Sequence, residues 1–362
     1  MKIFMLSNLG KNPYNELLIK HLIKGGAKVE SEDDHQGIIF LPQVIKNGSH
    51  QILHLHKLHY FFLGKTGNSK LFLYRDEIWR PFKFLIFEIQ ILMLKLTGTK
   101  VVCTIHEWED KIEQGKQSIP PNFLPKLGRL FDALIVHCDT TKQQLLKAFG
   151  SDVLNKVFVV EHGNYISSYP NSISRDSARK TLGIKDENLT FLLFGNIFRS
   201  KGFLEAIDNF KKLNQDNLFL IVAGYPAESG IENLIRGKIQ GCENILFVPQ
   251  KVPDQEIQVY MNASDCVILP YKIFTTSGVT LLAMSFGKAC IAPNSGYFSD
   301  LLDKQGAFLY NPAQDDGLLH VMKEAIEKQD ILVDMGQHNF KLAQKWNWDY
   351  VAQKTLEVYK NV

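Results

Sequence analysis

Two short stretches carry residues of the kind that hold anions. In "FGNIFRSKG", residues 194–202, an apolar run ends at Gly195 and Asn196, and Arg199 and Lys201 precede a helical pattern. In "FTTSGVTLLAMSFG", residues 274–287, Thr275, Thr276, Ser277 and Gly278 open another helical pattern. A helix amino terminus exposes unpaired N–H groups and the positive end of the peptide dipole, so both stretches suit a phosphate. Ala223 and Gly224, closing "LFLIVAG", add a further turn after an apolar run. Donor-rich turns from one domain converging on one diphosphate is the sharper reading. Ser277 or Thr276 serving only as a helix N-cap is the plainer one. No G-x-x-x-x-G-K-[ST] loop occurs, and no G-x-G-x-x-G follows the first strand, which disfavours P-loop kinases and ordinary dinucleotide enzymes.

Histidines form a second group. His54 and His56 in "ILHLH" share one strand face at spacing two. His106 ends "VVCTIH", His137 ends "ALIVH", and His162 precedes Gly163. An H-x-H pair plus a third histidine is the beginning of a metal site. No acidic residue has matching spacing and the other histidines lie on different strands, so no metal is expected. Hydrogen bonds to a polyhydroxylated ligand, or a purely structural role, remain.

These residues need a frame. Short apolar runs alternate with helical patterns: "KIFML", "GIIFLP", "QILHLH", "KVVCTIH", "ALIVHC" and "KVFVVEHG", then "NLTFLLFGN", "LFLIVAG", "NILFVPQ", "DCVILPY" and "KACIAP". Such alternation predicts parallel sheets covered on both faces. The polar, Ser-rich stretch 164–183 between the two sets reads as a linker near 164–175. Two doubly wound domains are expected, with ligands at the carboxyl ends of the strands and in the cleft between the domains.

Bulk properties narrow the classes. The chain has 362 residues, 45% of them hydrophobic, enough for two cores. Lys and Arg number 41 against 38 Asp and Glu, too balanced for a nucleic-acid binder. Five scattered cysteines without a C-x-x-C pair read as buried thiols in a reducing compartment. "MKIFMLSNLG" reads as a first strand rather than a signal peptide, and a cytoplasmic location is expected. The most apolar run, residues 84–98, contains Glu88, Gln90 and Lys95 and is too polar to span a membrane. It reads as a buried amphipathic helix or as a membrane-facing one, with Trp79, Arg80 and Lys83 at the headgroup level.

Taken in order and spacing, "TIHEWED", "GNIFRSKGFLEAI", "LFLIVAG", "VPDQEIQVYMNASDCVILPY" and "TTSGVTLLAMSFGKACIAPNSG" resemble the GT-B-fold retaining glycosyltransferases of CAZy family 4, over essentially the whole length. The resemblance implies an α/β fold of two Rossmann-like domains: an acceptor domain, 1–168, on which the helix 345–362 packs back, and a nucleotide-sugar domain, 169–344. It implies transfer of a sugar from a UDP- or GDP-sugar to a glycan or lipid-linked acceptor, with retention and no metal or other cofactor, in polysaccharide or glycoconjugate synthesis. Membrane contact would be peripheral. Arg199 and Lys201 would hold the donor diphosphate, with Gly195, Asn196, Gly224, Thr276, Ser277 and Gly278 around it. His106 would lie near the donor sugar. Glu107, His162, and Lys11 and Asn12 in the turn "GKNPY" would touch acceptor or sugar. Two departures stand out. The family's arginine directly after the glycine is Asn196 here, and its two glutamates eight residues apart fall at Phe274 and Leu282. Asp254 and Glu256 are a substitute for the ribose contact. A non-catalytic partner subunit and a nucleotide-sugar epimerase of the same architecture are the alternatives.

Overall fold

The computed structural model describes residues 1–7, 13–33, 35, 38–46, 48, 50–56, 76–106 and 123–362, with 76–80 and 151 described by their backbone. They form two compact units, Met1–His162 with Trp348–Val362, and Gly163–Asn347. Each is built on a six-stranded parallel sheet. In the first unit the strands are β1 (Lys2–Leu6), β2 (Lys28–Glu32), β3 (Ile52–His56), β4 (Lys100–Thr104), β5 (Ala133–Val136) and β6 (Val157–Val159), in the order β2-β1-β3-β4-β5-β6. In the second they are β7 (Leu189–Phe194), β8 (Leu218–Ala223), β9 (Ile245–Val248), β10 (Cys266–Ile268), β11 (Ala289–Pro293) and β12 (Ala307–Tyr310), in the order β12-β11-β10-β7-β8-β9.

Apolar runs become fully buried strands because helices cover both faces. In β4, Val101 and Cys103 enter one apolar layer and Val102 the other, as a period of two requires. The strand order reverses between β1 and β3 in the first sheet and between β7 and β10 in the second. At such a switch point the two flanking chain crossings leave to opposite faces, and a crevice opens at the carboxyl ends.

The structure departs from the sequence reading in places. "GIIFLP" forms no strand: its described residues 38–40 lead into the helix Leu41–Lys46. Gln90 takes up their backbone groups instead, its Oε1 accepting from the Phe40 and Leu41 backbone N–H at 2.8 and 3.0 Å and its Nε2 donating to the Ile38 carbonyl at 2.8 Å. The second strand is "KVESE", too polar to stand out because it lies at the sheet edge. β12 was likewise missed. The stretch after 163 begins inside the second unit, where Asn164 donates to the Ala343 carbonyl and the Tyr165 N–H donates to Ser285.

The helix Asp76–Leu96 buries Phe84, Phe87, Ile91 and Leu94. Its opposite face carries Phe82, Leu85, Ile89, Leu92, Met93 and Leu96, each between 47% and 88% exposed. Lys83 does not stand at a headgroup level: it is buried. Lys95 is held at 3.2 Å from Asp132 and donates to the Leu130 carbonyl. The side chains of Trp79 and Arg80 lie outside the described residues. No described helix is long and apolar enough to cross a membrane.

Candidate functional site

At the switch point of the second sheet, three turns meet because glycines let backbones touch. A Cβ at Gly224, after β8, would stand 1.7 Å from the Gly195 carbonyl oxygen, after β7. One at Gly202 would stand 2.0 Å from the Pro270 carbonyl oxygen, after β10. The Lys272 N–H donates to the Ser200 carbonyl at 2.8 Å, tying the β7 and β10 turns together. Between these glycines, Arg199–Lys201 forms one turn of 3-10 helix leading into the helix Phe203–Leu213.

The two cations of that turn have different surroundings. Arg199 is engaged by Glu228: its Nε donates to Glu228 Oε1 at 2.5 Å and its backbone N–H to Oε2 at 2.9 Å. Lys201 pairs with no carboxylate among the described residues. Its ammonium lies 5.0 Å from the centre of the Tyr271 ring and 6.0 Å from that of Phe198. Beneath it the Tyr271 hydroxyl is buried without a partner among the described residues. Lys201 is therefore the cation available to an anion. Glu228 went unnoticed in the sequence; an acidic residue in the turn after the neighbouring strand was the only signal.

The helix Gly278–Ser285 starts beside this turn, with Val279 within 3.1 Å of where a Gly195 Cβ would stand. Ser277 caps it, accepting from the Thr280 N–H at 3.2 Å, so that hydroxyl is used by the helix itself. Thr276 is half-buried and Thr275 buried. Phe274 packs against Phe298 at 4.5 Å between ring centres and near Tyr271, and Leu282 is buried in the helix. An aromatic wall and a core leucine thus stand where the resemblance implied carboxylates. Asp254 and Glu256 are exposed after β9, at the sheet edge two strands from β7. An open groove lined by Phe210, Asn214, Leu218 and Asn244 lies at the amino-terminal ends of β7–β9, away from all these turns.

In the first unit the sheet brings the histidines together. β3, β4 and β5 are neighbours in register, so His54 and His56 of β3 stand beside His106 after β4 and His137 after β5. His56 Nδ1 lies 3.0 Å from His106 Nε2, and His106 Nδ1 lies 3.4 Å from His137 Nε2. His137 Nδ1 lies 2.8 Å from the Val160 carbonyl oxygen. His54 bonds the Tyr359 hydroxyl and Thr104 Oγ1 at 2.6 and 2.7 Å. Tyr14, in the first turn of the helix Pro13–Lys24, presents its ring to His56, His106, His137, His162 and Trp348, with centres 4.7–5.8 Å apart. Burial disfavours charge here. It lowers His54 to about 3 and His137 to about 4, and with its neighbours His54 and His137 it holds His56 well below its ordinary value. Burial raises the Tyr14 phenol, against the hydrogen bond with Thr104. Among the described residues no group of three or more His, Cys, Asp or Glu is arranged to hold a metal. Lys11, Asn12 and Glu107 lie outside the described residues.

Comparison with known proteins decides the family of the second unit. Residues 174–342 match the family described as "Glycosyl transferases group 1". The second unit is a group 1 glycosyltransferase domain. The chain is 29% identical over 233 residues to the lipopolysaccharide 1,2-N-acetylglucosaminetransferase of Salmonella typhimurium, covering 60% of each. It is 24% identical over 245 residues to the GDP-mannose:glycolipid 4-beta-D-mannosyltransferase of Xanthomonas campestris, covering 65% of this chain and 63% of that one. These matches thus span about three fifths of each relative's length. Over the whole of both chains, the fold matches Anabaena HepE in complex with UDP at a TM-score of 0.74 and 16% identity. It matches the sucrose-phosphate synthase of Thermosynechococcus elongatus at 0.72 and 15%, over 100% and 99% of the two chains. Two six-stranded parallel sheets and these neighbours make this a GT-B fold. In the glycosyltransferase domain, Gly195, Asn196, Arg199, Lys201, Gly224 and the 276–278 turn are gathered at one switch point. His106 and His162 belong to the other unit, around Tyr14.

Proposed function

We propose that the chain transfers a sugar from a nucleotide-sugar donor to a lipid-linked glycan acceptor, with retention and without a metal. The observation that carries the reading is Lys201, a cation without a carboxylate partner among the described residues, at the switch point of a group 1 glycosyltransferase domain beside the start of the helix Gly278–Ser285. Negative charge grows on the leaving diphosphate as the anomeric carbon becomes oxocarbenium-like. Lys201, Arg199 and the N–H groups opening that helix stabilise the charge there without reorganising. Glu228 orients Arg199 for the same task. His106 serves the sugar or acceptor side. A GDP-mannose relative and a UDP-bound structural neighbour leave UDP- and GDP-sugars as the donors to try.

The acceptor reading draws on relatives whose names specify lipopolysaccharide and glycolipid. It draws also on the outer face of the helix Asp76–Leu96, where six large apolar side chains line up. Laid on a bilayer, that face would bury its side chains at the headgroup boundary. Phe274 and Leu282 favour the alternative of a non-catalytic partner subunit. Release of free nucleoside diphosphate from UDP- or GDP-sugars, with and without a lipid-linked acceptor, separates the readings: none with any donor leaves the partner subunit. Flotation with anionic vesicles tests the membrane face, and Leu85→Gln with Leu92→Gln should abolish it.

A further inference from the structure

We propose that Arg199 grips a single phosphate end-on, one oxygen on each Nη group, and that Glu228 is the positioning residue that leaves it that edge alone. That the phosphate belongs to a nucleotide-sugar rests on the transferase reading; the grip itself does not.

A guanidinium carries five N–H donors in one plane and no acceptor, and it offers paired donors along its Nε side and at its Nη end. Glu228 closes the Nε side. Its Oε1 accepts from Nε at 2.5 Å, and its Oε2 is taken by the Arg199 backbone N–H at 2.9 Å. One carboxylate thus bridges the main chain and the side chain of one residue, which fixes every bond between them. Neither Nη group has a partner among the described residues. The Arg199 side chain is 53% exposed, against 20% for Glu228, so the open end can be reached from solvent while the clamp is held deeper.

Glu228 is itself held in place. Its turn is laced to the turn after β7: the Ile197 N–H donates to the Tyr225 carbonyl at 2.8 Å, and the Ala227 N–H to the Ile197 carbonyl at 3.1 Å. Its own carbonyl accepts from the Ile231 N–H at 3.2 Å, where the helix Ile231–Ile239 begins. On the other side the Ser200 carbonyl is pinned by the Lys272 N–H, and the Lys272 ammonium is engaged by Glu205 at 2.7 Å. An exposed arginine samples many rotamers and loses that freedom when it holds a ligand. The clamp removes the freedom beforehand and uses no donor that the phosphate needs. The reverse role would make Glu228 a resident anion that the phosphate must evict. The open Nη end makes eviction unnecessary.

The test is a double-mutant cycle on the full-length protein, read by calorimetry with UDP, GDP and inorganic pyrophosphate as probes. Glu228→Ala should weaken binding about twofold to tenfold, the scale of ordering one long side chain. In an Arg199→Ala background the same change should shift affinity by less than about twofold. Glu228→Gln, which turns one acceptor into a donor, should behave as Glu228→Ala does, and decides if the alanine variant fails to fold. Arg199→Lys keeps the charge without the fork and should bind no better than about threefold above Arg199→Ala. The backbone clamp survives in Arg199→Ala, so a merely structural Glu228 would lose affinity equally in both backgrounds, and that result overturns the proposal. Tighter binding in Glu228→Ala makes it a resident competitor and also overturns it. So does wild-type affinity in Arg199→Lys or Arg199→Ala, or a wild-type protein that binds none of the probes. The expected cycle in a protein without turnover would sink the transferase reading and keep the grip.

Discussion

The two units meet the same topological problem with opposite electrostatics. In the second, the polar groups at the switch point are charged and partly solvated: Arg199 faces Glu228, and Lys201 sits on an aromatic ring with no acid beside it. In the first, the polar groups are imidazoles packed around Tyr14, Trp348 and the helix Trp348–Lys360, and burial disfavours charge on His54, His56 and His137. A charge kept near water costs little and attracts an anion at once. A neutral ring kept dry offers a directed lone pair instead. Charge suits binding a diphosphate, and direction suits handling a hydroxyl.

The contrast is broken most severely at Lys201. Lys201→Ala should lower turnover about 10²–10³-fold, as loss of one preorganised donor does, and weaken nucleoside diphosphate binding in parallel. Arg199→Ala should act in the same direction and less strongly, because its guanidinium is already shared with Glu228. His106→Ala should lower turnover while leaving nucleotide affinity, read by calorimetry, close to wild type. Equal losses of affinity in Lys201→Ala and His106→Ala would erase the division of labour.

Acid should separate the units next. His54 and His137 bind a proton more weakly folded than unfolded, with values of about 3 and about 4 against the ordinary 6.5. The unfolded chain therefore takes up protons first as pH falls, and stability drops from about pH 6.5 downward. Each histidine contributes up to about 1.4 kcal/mol per pH unit until its folded value is reached. Hydrogen exchange between pH 7 and pH 4.5 should show β3–β5 opening well before β7–β11. Protection lost evenly in both sheets would contradict this.

The second unit contains its own test in the other direction. Lys288 is half-buried and donates to the Ser264 carbonyl, and desolvation lowers it to about 8, against the pull of Asp265. Its folded value lies below the ordinary 10.5, so below about pH 8 the fold carries the full cost of the charge. Stability contributed at this site rises between about pH 8 and 10.5. Lys288→Met should raise Tm at pH 7 and lose that advantage by pH 10, measured by calorimetry.

The smallest effect is expected beneath Lys201. Tyr271→Leu removes the ring facing the ammonium and should weaken nucleoside diphosphate binding about two- to fivefold, the scale of one exposed cation–π contact. Tyr271→Phe keeps the ring and should bind within about twofold of wild type. A large loss in Tyr271→Phe would show the buried hydroxyl itself reaching the ligand.

Much of the frame was legible because it is written in short-range patterns. Buried parallel strands read as unbroken apolar runs, and "TFLLF", "LFLIVA" and "ACIAP" could hardly be anything else. Two of the four edge strands, β2 and β12, were not legible, and β2, "KVESE", is solvated enough to look like a loop. Helix caps were legible as chemistry but ambiguous as function, and Ser277 proved to cap its own helix. The histidines were visible as strand endings; that they form one row was not.

What the sequence determined by itself is local: where the chain alternates, where glycines permit a close turn, which residues end each strand. Periodicity and sterics act over a few residues, so one chain suffices to read them. Only the tertiary structure decided which strand ends are neighbours. His56, His106 and His137 lie far apart in the chain and hydrogen-bond because β3, β4 and β5 pair side by side. Arg199 finds Glu228, 29 residues on, because β7 and β8 do. Hydrogen bonding and charge pairing depend on distance in space to within a fraction of an ångström, and strand order, which sets those distances, is a property of the whole sheet.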